Sequence, residues 1–94
     1  SDLNSTVGKD CEINHSVVSN DVVIAEKCVI ESSIIAKSAK IGAGCVIKNS
    51  VVADSVELAA GSVLVNDSRI WPDQKVAQIE LNNQTVPTNP DWGI

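Results

Sequence analysis

Large rings are almost missing from this sequence of 94 residues. Phenylalanine and tyrosine are absent, and the aromatic residues are two tryptophans, although 44% of the chain is apolar. A core without large rings must be built from aliphatic side chains of similar size. The composition therefore suits a regular structure in which valine, isoleucine and leucine occupy equivalent positions, and the length suits one small domain.

Basic clusters and long apolar runs are also missing. The formal net charge is −5, so we expect no nucleic-acid partner. The sequence contains no run of about 18 apolar residues and no basic segment followed by an apolar one. We therefore expect neither a membrane partner nor a secretory leader in this stretch.

Methionine is the third absence. Either an initiator ahead of Ser1 was removed, or the chain is a piece of a larger protein. Residues 1–6 are polar and lead directly into a repeat without a segment that would cap it. This favours the second explanation.

A repeat of fixed length organises the rest of the chain. The segment Ile41–Ile47 has counterparts beginning at Val7, Ile24 and Leu58, each 17 residues from the next. A fixed period sets the architecture before local propensity does. Aliphatic residues also lead three short segments within each unit, at spacings of six, five and six residues that no helical face matches.

Segments this short must turn every five or six residues, so each unit makes a triangular coil. Successive coils stack as parallel, in-register strands roughly 4.8 Å apart. Three ladders of inward side chains follow: Val7/Ile24/Ile41/Leu58, Ile13/Ile30/Ile47/Leu64 and Val18/Ile35/Val52/Ile70. We predict an all-β fold, a triangular parallel β-helix of about four 17-residue coils over residues 7–76, followed by a final strand and a tail over residues 77–94.

Two residue types invite a chemical interpretation. Cys11, Cys28 and Cys45 share one ladder position with Ser62, but their number is odd and no CxxC spacing occurs. We interpret them as small buried side chains in a reducing, cytoplasmic setting, with no metal site. His15 is the single histidine, and its ladder mates are polar, which indicates a solvated turn. Its alternative role is a general base.

The outer surface carries a more specific signal. One ladder of outward positions contains Val29, Val46 and Val63 after Glu12, and we name these three residues the valine ladder. Ala25, Ala36, Ala53 and Ala59 are predicted to add small neighbours to it. A contiguous apolar stripe indicates a subunit interface, so we predict a homo-oligomer, with a trimer favoured.

The repeat resembles the hexapeptide-repeat family over residues 7–76, which implies a left-handed helix. Two details are similar to the C-terminal domain of sugar-nucleotide pyrophosphorylases, the mannose-1-phosphate guanylyltransferase and glucose-1-phosphate nucleotidyltransferase group. They are the five-residue segments, as in Ile30–Ile35, and the segment Arg69-Ile70-Trp71-Pro72. In that family an N-terminal nucleotidyltransferase domain carries the glycine-rich phosphate loop and the metal-binding carboxylates.

The resemblance implies an assembly or regulatory domain without catalytic residues or a cofactor. Gly42-Ala43-Gly44 lies inside a coil and not at a strand-to-helix turn, so it cannot cradle a phosphate. The alternative is a small acyltransferase with sites between the subunits of a trimer, His15 as base and a thioester donor. Such enzymes usually have a long loop over the donor channel, and no long insertion interrupts the repeat before Arg69.

Overall fold

The computed structural model describes residues 4–88, which form 15 short strands and no helix. The strands of sheet 1 are β1 (Thr6–Val7), β4 (Val23–Ile24), β7 (Lys40–Ile41), β10 (Glu57–Leu58) and β13 (Lys75–Val76). Those of sheet 2 are β2 (Glu12–Asn14), β5 (Val29–Glu31), β8 (Val46–Lys48), β11 (Val63–Val65) and β14 (Glu80–Asn82). Those of sheet 3 are β3 (Val17–Val18), β6 (Ile34–Ile35), β9 (Val51–Val52), β12 (Arg69–Ile70) and β15 (Thr85–Val86).

The three sheets are parallel and wind as a triangular solenoid. Each strand pairs with the strand one coil later, so that Ile24 is in register with Ile41 and Ile30 with Ile47. The predicted fold class is confirmed, and the arrangement is consistent with the left-handed winding that the resemblance implies. No helix long and apolar enough to cross a bilayer occurs in residues 4–88.

The core is a stack of aliphatic side chains along the axis of the solenoid. Successive residues of a strand point to opposite faces, so one residue of each two-residue strand enters the core. In the middle coils these inward residues are fully buried: Ile30, Ile35, Ile47 and Val52 are each 0% exposed. The inward ladders predicted from the repeat are the ladders that the structure contains.

Three tight turns close each coil, and each uses the left-handed region of backbone conformation. After sheet 1 this position is taken by Asp10, Lys27, Gly44 and Gly61, with φ between 60° and 73°. After sheet 2, His15 and its ladder mates Ser32 and Asn49 have φ near 50°. Side chains other than glycine adopt this region at a cost, which the stacked coils offset.

A ladder of serines, which the sequence did not reveal, lines the corner between sheets 2 and 3. Its members are Ser16, Ser33, Ser50 and Ser68. The hydroxyl of Ser33 accepts a hydrogen bond from the backbone N–H of Ser50 at 3.1 Å and donates one to the carbonyl of Glu31 at 2.7 Å. The same exchange recurs between the other members. The hydroxyls thus satisfy backbone groups that the turns would otherwise leave unpaired.

The solenoid has about five coils, one more than the sequence predicted. Two changes of spacing hide the fifth coil. An extra residue sits in the turn at Asn66 and Asp67, which both have positive φ, so Val52 pairs with Ile70 18 residues later. The next coil is correspondingly shorter, and Ile70 pairs with Val86 after 16 residues. The predicted tail from Asn83 therefore includes β15, and residues 89–94, with Trp92, lie outside the described residues.

The two ends of the solenoid are covered to different extents. In the first coil the inward Val7 is 45% exposed, whereas Ile24 above it is 1% exposed. Ile13 and Val18 of the same coil are only partly buried. In the last coil Val76 and Leu81 are 8% and 5% exposed. The first coil is therefore the more open end of the core.

Candidate assembly surface

The valine ladder lies on the outer face of sheet 2. Val29, Val46 and Val63 are adjacent and in register in β5, β8 and β11. Each precedes an inward residue, so each points away from the core. All three are half-buried, because neighbouring coils cover part of each side chain. The ladder is a continuous aliphatic ridge across the three middle coils.

Charged residues bound this ridge at both ends. Glu12 is paired with Val29 below the ladder, and Glu80 is paired with Val63 above it. Both carboxylates are exposed. Because burying an unpaired carboxylate is costly, the two glutamates restrict an apolar partner to the three valines between them.

A second outward row on sheet 2 is mainly polar. Lys48 and Glu31 approach to 3.9 Å, and their side chains are 42% and 41% exposed. An exposed pair of this kind contributes little to stability. Val65 continues the row in the next coil and is half-buried. Sheet 2 thus has an apolar ridge beside a polar rim, which is the usual organisation of a protein interface.

The alanines expected beside the valine ladder lie elsewhere. Ala36 and Ala53 follow the strands of sheet 3, where their backbone N–H groups bond to Val52 and Ile70. Ala25 and Ala59 follow the strands of sheet 1. The prediction was wrong because residues after a strand flank the corner that the chain next enters, and not the sheet two turns away.

The cysteines form the inner corner between sheets 1 and 2. Cys28 and Cys45 are 0% exposed, and their thiols donate to the carbonyls of Gly42 and Ala59 in the following coil at 3.2 and 3.3 Å. Burial raises the pKa of Cys28 from 9.0 to about 11, and burial also raises the pKa of Cys45. Protonated, hydrogen-bonded thiols are poor nucleophiles, so the chemistry of this corner is structural.

His15 lies in the exposed turn between β2 and β3 in the first coil, with φ of 51°. It is on the corner beside sheet 2, at the open end of the solenoid. Within residues 4–88, no group of three or more histidine, cysteine and acidic side chains is arranged to hold a metal ion. The structure does not bring His15 together with the valine ladder.

The outer face of sheet 1 contains a shallow depression of about 250 Å³. Lys40, Glu57 and Lys75 are in register along its rim, and Gly42 and Ala59 form part of its lining. The sequence interpretation placed this alternating charge at a corner, whereas it occupies the sheet. An open, mostly apolar depression with solvated charges has no convergent polar groups that would orient a small molecule.

Three parallel sheets wound on a 17-residue repeat define a β-helix domain of the hexapeptide-repeat class. The model of one family, described as GMPPB C-terminal domain, matches residues 2–86, and the chain belongs to that family. The comparisons with curated proteins and with solved structures each found no match. The resemblance noted from the sequence is confirmed: this is a C-terminal domain of the sugar nucleotidyltransferase kind.

Sequence reasoning missed one further surface, the outer face of sheet 3. The strands Val17–Val18, Ile34–Ile35 and Val51–Val52 are aliphatic doublets. In each doublet the second residue enters the core, so the first must point outward. The doublets were the available signal, but they were interpreted as a family feature and not as an exposed apolar row.

Proposed function

We propose that this domain assembles a sugar-phosphate nucleotidyltransferase through the valine ladder and carries out no catalytic step itself. The observation that carries the proposal is the in-register ridge of Val29, Val46 and Val63 between two exposed glutamates. An aliphatic ridge repeated over three coils, with its charges at the ends, has the form of a contact surface. The nucleotidyltransferase domain is the proposed partner in the same polypeptide.

Burial of this ridge against another copy would be favourable. Each Å² of apolar surface removed from water contributes about 25 cal/mol, and a small solenoid gains from such cover because its coils contact only their neighbours. A trimer with its axis along the solenoid is the favoured assembly. In that arrangement equivalent coils of the subunits meet at the same height, and valine faces valine.

The test is the mass in solution, by sedimentation equilibrium, of the wild-type domain and of Val46→Glu. The wild type is expected to self-associate at tens of micromolar. Val46→Glu is expected to weaken association at least tenfold, because it places a carboxylate at the centre of the ridge. The matched control is Val23→Glu, the same change at an exposed outward position of sheet 1, which is expected to leave association unchanged.

Two results would contradict the proposal. A wild-type monomer throughout this concentration range, or an oligomer that Val46→Glu leaves intact, would show that the valine ladder is not the interface. Turnover of an acyl thioester by the domain, abolished by His15→Ala, would contradict the non-catalytic role and support the acyltransferase alternative instead.

A further inference from the structure

The most exposed outward apolar row belongs to sheet 3. Val17 and Ile34 are 58% and 45% exposed, whereas each member of the valine ladder is only half-buried or better covered. Val17, Ile34 and Val51 pair in register through β3, β6 and β9. We name them the sheet 3 row. The same row continues upward with Arg69 and Thr85.

Small and apolar residues border the sheet 3 row on the side toward sheet 1. The positions that follow the strands are Ser19, Ala36, Ala53 and Trp71, and all four are half-buried. Together the two rows make one apolar face that spans the first four coils. Single exposed apolar residues are ordinary, but a contiguous face of this kind indicates an interaction site.

The charges of the molecule favour a second copy as the occupant of this face. Two copies of a chain with a net charge of −5 repel each other unless their contact avoids acidic groups. Glu57 lies on the outer face of sheet 1, and Glu12, Glu31 and Glu80 lie on that of sheet 2. The two rows on sheet 3 contain no acidic residue, and their single charge is Arg69. That guanidinium is already 3.6 Å from the carboxylate of Asp67 in its own chain.

We propose that the outer face of sheet 3 packs against the same face of a second copy, with the two solenoids antiparallel. The two-fold axis lies between β6 and β9 and runs along the strands. Ile34 of each copy then faces Val51 of the other, and Ala36 faces Ala53. Because the same patch serves both copies, the contact closes as a dimer and does not propagate.

Charge also selects the antiparallel arrangement over a parallel one. With parallel solenoids at equal height, Arg69 would face Arg69 of the second copy, and like charges in contact are unfavourable. In the antiparallel arrangement Arg69 lies over Val17 of the second copy. Its aliphatic stem covers that valine while its guanidinium keeps the ion pair with Asp67.

The size of the face predicts a weak dimer. Five strands at about 4.8 Å and about five residues across give roughly 400 Å² per copy, or about 800 Å² in total. This is below the roughly 1,200 Å² at which stable complexes begin. The contact is therefore expected to bind weakly in the isolated domain and to act mainly where another contact already holds two copies together.

Directed disulfide cross-linking tests the geometry. Ile34→Cys and Val51→Cys are made separately in a Cys11→Ser background, since Cys11 is the one natural thiol that is not fully buried and serine already occupies its ladder position at Ser62. Copper phenanthroline, which oxidises two thiols to a disulfide, is added to each protein alone and to the mixture. The mixture is expected to form the Ile34→Cys to Val51→Cys heterodimer several times faster than either protein dimerises alone.

The outcomes separate this proposal from the valine-ladder assembly. Faster cross-linking of either variant with itself than in the mixture would overturn the antiparallel register, and no cross-linking in any sample would overturn the contact. In sedimentation, Ile34→Glu should remove the weak dimerisation that remains in a Val46→Glu background, whereas Val23→Glu should not. Loss of the valine-ladder oligomer alone, with cross-linking retained, would contradict only the proposed function.

Discussion

Buried side chains of the cysteine corner keep protons that the unfolded chain gives up. Cys28 and Cys45 have raised pKa values because burial disfavours their thiolates. Below pH 9 the folded and unfolded chains both hold these protons, so the two thiols add no pH dependence. Between pH 9 and about 11 the unfolded Cys28 ionises while the folded one does not, and stability falls as pH rises.

Cys28→Ser is expected to make this loss of stability shallower. Serine is tolerated at this corner at Ser62, and it has no proton to lose in this pH range. The free energy of unfolding in urea, measured at about pH 8 and about pH 10.5, should fall by roughly 1–2 kcal/mol less in the variant than in the wild type. Lysines titrate equally in both proteins and cancel in the comparison. Equal losses in the two proteins would show that Cys28 is not protected.

Between coils, the serine ladder links backbone groups that the sheets do not pair. Ser33→Ala is expected to cost roughly 1–3 kcal/mol, because it leaves the buried backbone N–H of Ser50 without its acceptor. The control is Ser32→Ala, the same change at the exposed neighbouring position, which should cost under about 0.5 kcal/mol. Chemical denaturation of both variants checks the difference. A Ser33→Ala variant as stable as the wild type would show that the hydroxyl is dispensable.

At the scale of strands and coils, the sequence predicts whatever repeats and fails where spacing changes. Residues 17 apart share one environment, so the inward ladders through Leu58 and Leu64 could be assigned from periodicity alone. The extra residue at Asp67 and the shortened last coil break the period in opposite directions, so Val86 could not be aligned with Ile70. The serine hydroxyls were invisible for another reason, since a buried and a solvated serine look alike in a pattern of apolar positions.

The outward surfaces were harder to assign than the core. The valine ladder was identified because its neighbours along the chain alternate with clear inward residues. The sheet 3 row lies in two-residue strands, where an aliphatic doublet does not show which member is exposed. Only the register of β3, β6 and β9 assigns Val18, Ile35 and Val52 to the core and their partners to the surface.

The whole molecule is a stack in which each coil is stabilised mainly by its two neighbours. The first coil has a neighbour on one side only within the described residues, and its inward side chains are correspondingly exposed. Local opening is expected to begin where the fewest apolar contacts hold the chain. The stability of the solenoid should therefore rise from the first coil toward the middle coils.

Val18 and Val52 provide a matched test of this gradient, because they are the same residue at the same position of one ladder. Val18 is half-buried in the first coil, and Val52 is 0% exposed in the third. Val52→Ala should destabilise the domain by roughly 2–4 kcal/mol, since it leaves a cavity between covered coils. Val18→Ala should cost about 1 kcal/mol or less, because solvent already reaches the site.

The two variants should differ in amide hydrogen exchange as well as in denaturant unfolding. Val18→Ala is expected to speed exchange in the first coil alone, whereas Val52→Ala lowers the protection of every coil through the global unfolding free energy. Equal costs for the two substitutions, with uniform loss of protection, would mean that the first coil is as well supported as the third. The open end would then be covered in solution, and a contact there would have to be sought.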